Sequence, residues 1–202
     1  LAVEPIKGLR FRSSLGLNFN NYEGRSFTPI YKLSIYTFST NTWASQNQGN
    51  GKSLQLDNLL SYNFRTGSHT FDVMAGSSAV QSNGSSMYGR KRDLVFPDLA
   101  HAWLTNATNT DGTLMSLTGS PYESALLSYF GRVQYNYDEK YLFNATFRAD
   151  GSSNFAPGNR WGYFPSVSLG WVASRENFLQ NVSWMNFFKL RASWGQVGNQ
   201  SI

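Results

Sequence analysis

From Lys7 onward the chain alternates between polar and apolar side chains. Arg10, Arg12, Ser14, Gly16, Asn18 and Asn20 fall on one side of an extended backbone, with Leu9, Phe11, Leu15, Leu17 and Phe19 on the other. Successive strand residues point to opposite faces, so this period of two predicts a β-strand with one wet and one apolar face. The rhythm returns in Leu54, Leu56, Leu60, Tyr62 and Phe64 against Gln55, Asp57, Ser61, Asn63 and Arg65, then passes through Thr66-Gly67-Ser68 into Phe71, Val73 and Ala75. Two alternating runs joined by a short polar segment with glycine predict a hairpin.

A second hairpin follows. Leu127, Tyr129, Val133, Tyr135 and Tyr137 oppose Ser128, Arg132, Gln134 and Asn136; the chain then turns at Asp138-Glu139-Lys140 and continues with Tyr141, Phe143, Ala145 and Phe147 against Asn144, Thr146, Arg148 and Asp150. Two more strands are expected, from Tyr163 to Ala173 and from Phe188 to Val197. Val167, Leu169, Trp171, Leu190, Ala192 and Trp194 lie on their apolar side, and Ser166, Ser168, Gly170, Lys189, Arg191 and Ser193 on their polar side. Seven strands are predicted in all. One or two turns of helix are expected between Ser174 and Trp184, with Ser174 as cap and Glu176 in the first turn, forming a periplasmic turn.

The connections alternate in length: Asn21 to Lys52 and Gln81 to Tyr122 read as loops of more than 30 residues, whereas 66–68 and 138–140 are tight. Compact soluble domains join their elements with about 4 to 6 residues. Short turns at one end and long loops at the other are the habit of outer-membrane barrels. The faces point the same way. The polar face holds Arg10, Arg12, Arg132, Arg148 and Arg191 among Asn, Ser and Gln, as a water-filled lumen requires, and the apolar face carries Tyr and Trp at strand ends, as a membrane-interface girdle requires. The expected fold is therefore all-β, an antiparallel up-and-down transmembrane β-barrel segment with long extracellular loops, part of a larger barrel. Period two does not by itself separate lipid from a protein core, so a soluble all-β carbohydrate-binding or adhesin domain stays open as the alternative.

Composition narrows the chemistry. Of 202 residues, 41% are apolar and 16% aromatic but only 14% charged, and 26 Ser with 19 Asn supply much of the polarity. The chain has no cysteine and only His69 and His101, which excludes disulfides, thiolate metal sites and cysteine nucleophiles. No apolar run approaches the about 18 residues of a spanning helix, a test that says nothing of strands.

Particular words then outweigh periodicity. Ser128-Tyr129-Phe130-Gly131-Arg132-Val133-Gln134-Tyr135, Tyr141-Leu142-Phe143 and Phe147-Arg148-Ala149-Asp150-Gly151-Ser152-Ser153-Asn154-Phe155 occur in succession. Asn159-Arg160-Trp161-Gly162-Tyr163-Phe164-Pro165-Ser166-Val167-Ser168 and Leu190-Arg191-Ala192-Ser193-Trp194-Gly195 with Gly198-Asn199-Gln200 continue them. This order resembles the barrel of the SusC/RagA family of TonB-dependent outer-membrane transporters of Bacteroidetes. The resemblance is strongest from Glu123 to Gln200; earlier it rests on strand rhythm, Pro5-Ile6-Lys7-Gly8-Leu9 and Arg25-Ser26-Phe27-Thr28-Pro29. It implies that residues 1–202 are part of a receptor barrel domain in the bacterial outer membrane, with the plug domain and the remaining strands absent. It further implies TonB-powered import of oligosaccharides or peptides, a SusD-like surface lipoprotein as partner, TonB contact through the missing plug region, and no enzymatic activity or cofactor.

Local signals add candidates. Arg10, Arg12, Arg132 and Arg148 are expected to line the lumen, where import-path contacts and salt bridges to the plug are equal possibilities. Trp43, Tyr88 and Trp103 are expected in outer loops, placed to stack on sugar rings, dock the partner or pack the loops together. Arg90-Lys91-Arg92 with a net charge of +5 reads as an outer loop near anionic lipopolysaccharide or a partner lipoprotein, since Asp93 follows and no aromatics cluster there for nucleic acid. Gly51-Lys52-Ser53 lacks the first P-loop glycine, Gln46 standing in its place. Asp150-Gly151-Ser152-Ser153-Asn154 lacks the spacing of a calcium loop and reads as turn chemistry. The acid pairs Asp93 with Asp98 and Asp138 with Glu139 read as solvated, and no G-x-S-x-G elbow occurs. The N-x-S/T triplets at Asn83, Asn106, Asn144 and Asn181 are accidental in this composition.

Overall fold

The structure, a computed structural model, describes residues 1–112, 115–179 and 186–198. Among these residues ten strands form: β1 (Ala2–Ile6), β2 (Leu9–Thr28), β3 (Tyr31–Lys32), β4 (Phe38–Ser39), β5 (Trp43–Thr66), β6 (His69–Arg92), β7 (Ser116–Tyr137), β8 (Tyr141–Ser152), β9 (Trp161–Trp171) and β10 (Leu190–Gly195). Eight of them make one sheet in the order β1-β2-β5-β6-β7-β8-β9-β10, and β3 and β4 make a separate ribbon. Apart from that ribbon every strand pairs with its neighbours along the chain, which is the up-and-down topology that the alternation predicted. No helix among the described residues is long and apolar enough to cross a membrane, which says nothing of strands.

The chain folds as two compact units. The first comprises Leu1–Gly16, Leu54–Gln81 and Ser124–Ile202, and its short turns set the register. Gly67 opens the β5–β6 turn at φ +59, in the left-handed region that costs glycine nothing. At the β7–β8 turn Asp138 and Glu139 take φ of 51 and 53, conformations that Asp tolerates because its side chain bonds locally. From that turn the β7–β8 ladder runs without interruption from Tyr137↔Tyr141 to Leu126↔Ser152, and β8–β9 from Tyr141↔Trp171 to Gly151↔Trp161. Residues opposite one another share a face. The registers therefore place Ser128, Arg132, Gln134, Asn144, Thr146, Arg148, Ser166, Ser168, Arg191 and Ser193 together, with Tyr129, Val133, Phe143, Phe147, Val167, Leu169, Leu190 and Trp194 on the other side. This is the division read from the sequence.

The strand β1 carries no alternating signal and was not among the seven expected. It holds Pro5, which has no N–H to donate; its ladder with β2 shifts register between Val3 and Ile6, and it lies at the end of the sheet, where proline is tolerated. The expected helix from Ser174 is a single 3₁₀ turn, Ala173–Arg175, with Ser174 inside it and no side-chain cap. Positions 180–184 of that expectation lie outside the described residues, as do Asn181, Asn199 and Gln200.

The second unit comprises Leu17–Ser53 and Ser82–Glu123. Here the expected loops are corrected: 21–28, 43–52, 81–92 and 116–122 are strand of the large sheet, leaving 29–42 and the described residues of 93–115 as connections between its strands. These strand segments read as loops because Gln46-Asn47-Gln48-Gly49-Asn50-Gly51 and Ser82-Asn83-Gly84-Ser85-Ser86 have no apolar face. Backbone ladder bonds do not need one. Tyr122 lies across Gly84, occupying the space a Cβ would take there, so an aromatic covers a strand glycine. The 93–115 segment is tied down locally. Asp93 sits at φ 64 and accepts from Asn41 Nδ2 at 2.9 Å, while Leu94 N donates to Thr42 Oγ1 at 2.9 Å. Ala44, Leu94 and Ala102 form a small core with Phe27 and Leu104 packed against it.

Buried apolar side chains are few in both units, whereas in the first unit Leu169 is 58% exposed, Trp194 66% and Leu15 66%. A water-soluble fold does not leave a contiguous apolar face of this size uncovered. Lipid is the solvent that such a face fits. Val167→Arg or Leu169→Arg is expected to destabilise membrane assembly, by about 2 to 4 kcal/mol at Val167 near the middle of the β8–β9 ladder, whereas Ser168→Arg on the polar face is milder. Comparing folded barrel recovered from the membrane for the three variants checks this; equal losses on both faces would sink the assignment.

Candidate functional site: the polar face

In the first unit three of the four arginines expected from sequence are held by acids that the sequence reading did not single out as partners. Arg132 meets Asp72 at 3.1 Å, and Arg10 meets Glu4 at 3.4 Å. Arg148 is held by Asp150 at 2.7 Å and donates to Ser128 Oγ at 3.0 Å. The fourth, Arg12, acts electrostatically on Asp57, which also accepts from Ser78 Oγ at 2.6 Å and Gln55 Nε2 at 2.8 Å. Half-exposed pairs of this kind add little stability, so their effect is to fix where charge sits. The signal for them was an acid at a polar-phase position of a strand, as at Asp57, but its partner is set by sheet neighbours far away in sequence.

A concave site of about 340 Å³ opens on the same face, lined by Asp72, Asn136, Asn144, Lys189 and Arg191 among others. The Oδ1 atoms of Asn136 and Asn144 are buried there without a hydrogen-bond partner. Native proteins seldom leave such acceptors unmet. Two cations, one acid and two unmet acceptors suit a polar, hydrogen-bonding occupant and supply no nucleophile with a base. Among the described residues no group of three or more His, Asp or Glu could hold a metal ion.

The aromatic candidates lie in the second unit, and two of the three are not in loops. Trp43 begins β5 and Tyr88 lies in β6; only Trp103 is in a connection. The guanidinium of Arg90 sits 4.0 Å from the Trp43 ring centre, and that of Arg25 lies 3.9 Å from the Trp103 ring centre. The Tyr88 hydroxyl donates to Ser45 Oγ at 3.2 Å. Each indole thus has one face covered by a cation, an attractive stacking that leaves only the other face for a planar ligand. Asp93 and Asp98 are likewise engaged separately, Asp98 accepting from the His101 backbone N–H at 2.9 Å and lying 2.8 Å from its ring Nδ1.

At the short-turn end of the first unit, Glu176 accepts from the Tyr141 hydroxyl at 2.5 Å and from Trp171 Nε1 at 3.1 Å. Lys140 lies between Asp138, at 3.1 Å, and Glu176, at 3.9 Å, and Arg175 pairs with Glu139. The Tyr141 hydrogen bond, followed by that from Trp171, holds the Glu176 carboxyl below its ordinary range.

The fold and this two-faced sheet fit one class: a segment of an outer-membrane β-barrel. Comparison with known proteins names the line within it. The chain is 33% identical over 204 aligned residues to TonB-dependent receptor P3 of Formosa agariphila, covering 100% of the chain and 20% of that protein. It is 34% identical to the TonB-dependent receptor SusC of Bacteroides thetaiotaomicron, covering 98% of the chain and 18% of SusC. No family model matches. Among solved structures, the RagAB peptide transporter superposes over 100% of the chain and 22% of the matched chain, with a TM-score of 0.80 at 23% identity. From end to end, then, the chain is similar to TonB-dependent receptors, SusC among them. It spans about a fifth of the length of these relatives.

Because the Glu176 carboxyl is depressed, its contribution is full above the ordinary glutamate value of 4.5 and is lost as pH falls below that through the lowered value. Tyr141→Phe removes the larger cause and is expected to raise the Glu176 titration toward its ordinary value. Carboxyl infrared difference spectra of the full-length protein with and without the substitution test this; an unmoved titration would refute the assigned cause.

Proposed function

We propose that residues 1–202 are a contiguous portion of the barrel of a TonB-dependent outer-membrane importer that takes up oligosaccharides or peptides together with a SusD-like surface lipoprotein. The observation that carries this reading is the conjunction of an uncovered apolar face with a polar face of fixed arginine–acid pairs, in a chain similar to SusC over nearly its whole length. On this reading the apolar face meets lipid, and Arg10, Arg12, Arg132 and Arg148 face the lumen. The unmet amides of Asn136 and Asn144 take donors from an occupant of that lumen, either a plug or the nutrient. The ends of the sheet at β1 and β10 pair with further barrel strands, because lipid tolerates no open strand edge. Gating and TonB contact belong to parts of the protein outside these residues.

On this reading the polar strand segments 46–51 and 82–86, which have no apolar face, lie outside the hydrocarbon. Spanning takes about 9 to 11 strand residues, and β5 and β6 have 24 each. Trp43, Tyr88 and Trp103 sit in the second unit as candidates for contact with nutrient or lipoprotein through their uncovered surfaces. The soluble sugar-binding alternative is disfavoured by the small core and the extent of exposed apolar surface.

Deleting the gene for the full-length protein in its own bacterium is expected to abolish uptake of one class of labelled substrate, oligosaccharide or peptide. Deleting TonB should do the same, and affinity purification of the intact receptor should bring down a surface lipoprotein. Unchanged uptake of both classes would overturn the proposal.

A further inference from the structure

On the apolar face of the first unit a groove of about 680 Å³ runs between Leu54 and Leu56 on β5, Ala79 on β6, Leu127 on β7 and Trp161 on β9, and is bordered by Arg160. Two features build it. Ala79 is a small side chain between leucines, which leaves a trough, and Gly151 lets the Trp161 indole lie flat across β8, since a Cβ there would come within about 3.0 Å of the ring. Trp161 also stacks against Tyr129, with centroids 6.1 Å apart, so the wall it forms is braced from behind. The groove ends at the β8–β9 connection. There Arg160 donates through Nε to the carbonyl of Phe155 at 3.3 Å, a bond that turns the side chain without neutralising it. The guanidinium is exposed and no carboxylate pairs with it among the described residues, unlike Arg10, Arg132, Arg148 and Arg175.

An apolar trough with an unneutralised cation at its mouth and an indole at the junction is complementary to an amphiphile with hydrocarbon chains and an anionic head. We infer that this groove holds an acyl chain of a phosphorylated outer-leaflet lipid, with Arg160 contacting its phosphate. The inference rests on the lipid-facing reading of the apolar face. It adds to that reading a fixed lipid position beside β8 and β9, where the annular lipid is otherwise interchangeable.

The full-length receptor, purified in detergent and incubated with bisphosphorylated lipid A or with its dephosphorylated form, tests this by native mass spectrometry of retained lipid. Arg160→Gln is expected to lower retention of the phosphorylated lipid roughly tenfold, the scale of one charge-assisted hydrogen bond, and to leave the dephosphorylated form unchanged. Ala79→Phe, which fills the trough from the lipid side, is expected to lower retention of both. Retention of phosphorylated lipid that neither substitution alters would overturn the inference. Heat-modifiable gel mobility confirms that each variant is a folded barrel. Failure of the underlying reading is distinguishable, because it erases the difference between Leu169→Arg and Ser168→Arg, whereas failure of the lipid site leaves that difference intact.

Discussion

The inter-strand hydrogen-bond ladder is the constraint on which the rest of this molecule depends. A soluble domain of this length would hold itself together by burying large side chains. Here the few buried apolar residues are chiefly alanines, with Leu94 and Val172. What remains is the unbroken pairing from Tyr137↔Tyr141 outward, and from Tyr141↔Trp171 alongside it. In hydrocarbon every backbone N–H and C=O must find its partner within the protein, so the ladder that orders these strands is also what admits them to a membrane.

Once the ladder fixes register, it sorts side chains into two environments. One face collects Leu, Val, Phe, Tyr and Trp and leaves them exposed; the other collects arginines with their acids, serines and asparagines. Contacts of the polar-face arginines cross between strands: Arg132 pairs with Asp72 on β6, and Arg148 donates to Ser128 on β7 while its ion pair with Asp150 lies on its own strand. Such contacts give a surface with a fixed charge pattern. The aromatic side chains serve different ends in different places. Tyr62, Phe64, Phe71 and Tyr135 stack in a row with centroid spacings of 4.8 to 4.9 Å on the apolar face, whereas Trp43 and Trp103 are each paired with a guanidinium.

What the sequence by itself determined was the phase of every strand that has two different solvents on its two sides. Leu169 and Ser168, or Tyr135 and Gln134, could be assigned to opposite faces because a period of two has only two solutions and a single-residue slip would invert all of them. The tight turns were legible too, since Gly67 and Asp138 are residues that turn geometry favours. Tertiary structure alone decided the rest. The segments around Gln46–Gly51 and Ser82–Ser86 are strand although their composition reads as loop, because ladder bonds join backbones and leave no mark on side-chain choice when both faces are polar. The partners of Arg132, Arg25 and Arg90 were hidden for a related reason: Asp72, Trp103 and Trp43 lie 60, 78 and 47 positions away in sequence, and only sheet pairing and chain return bring them within contact distance. The groove at Trp161 likewise exists because four strands place Leu54, Ala79, Leu127 and Gly151 side by side, a neighbourhood that no local pattern encodes.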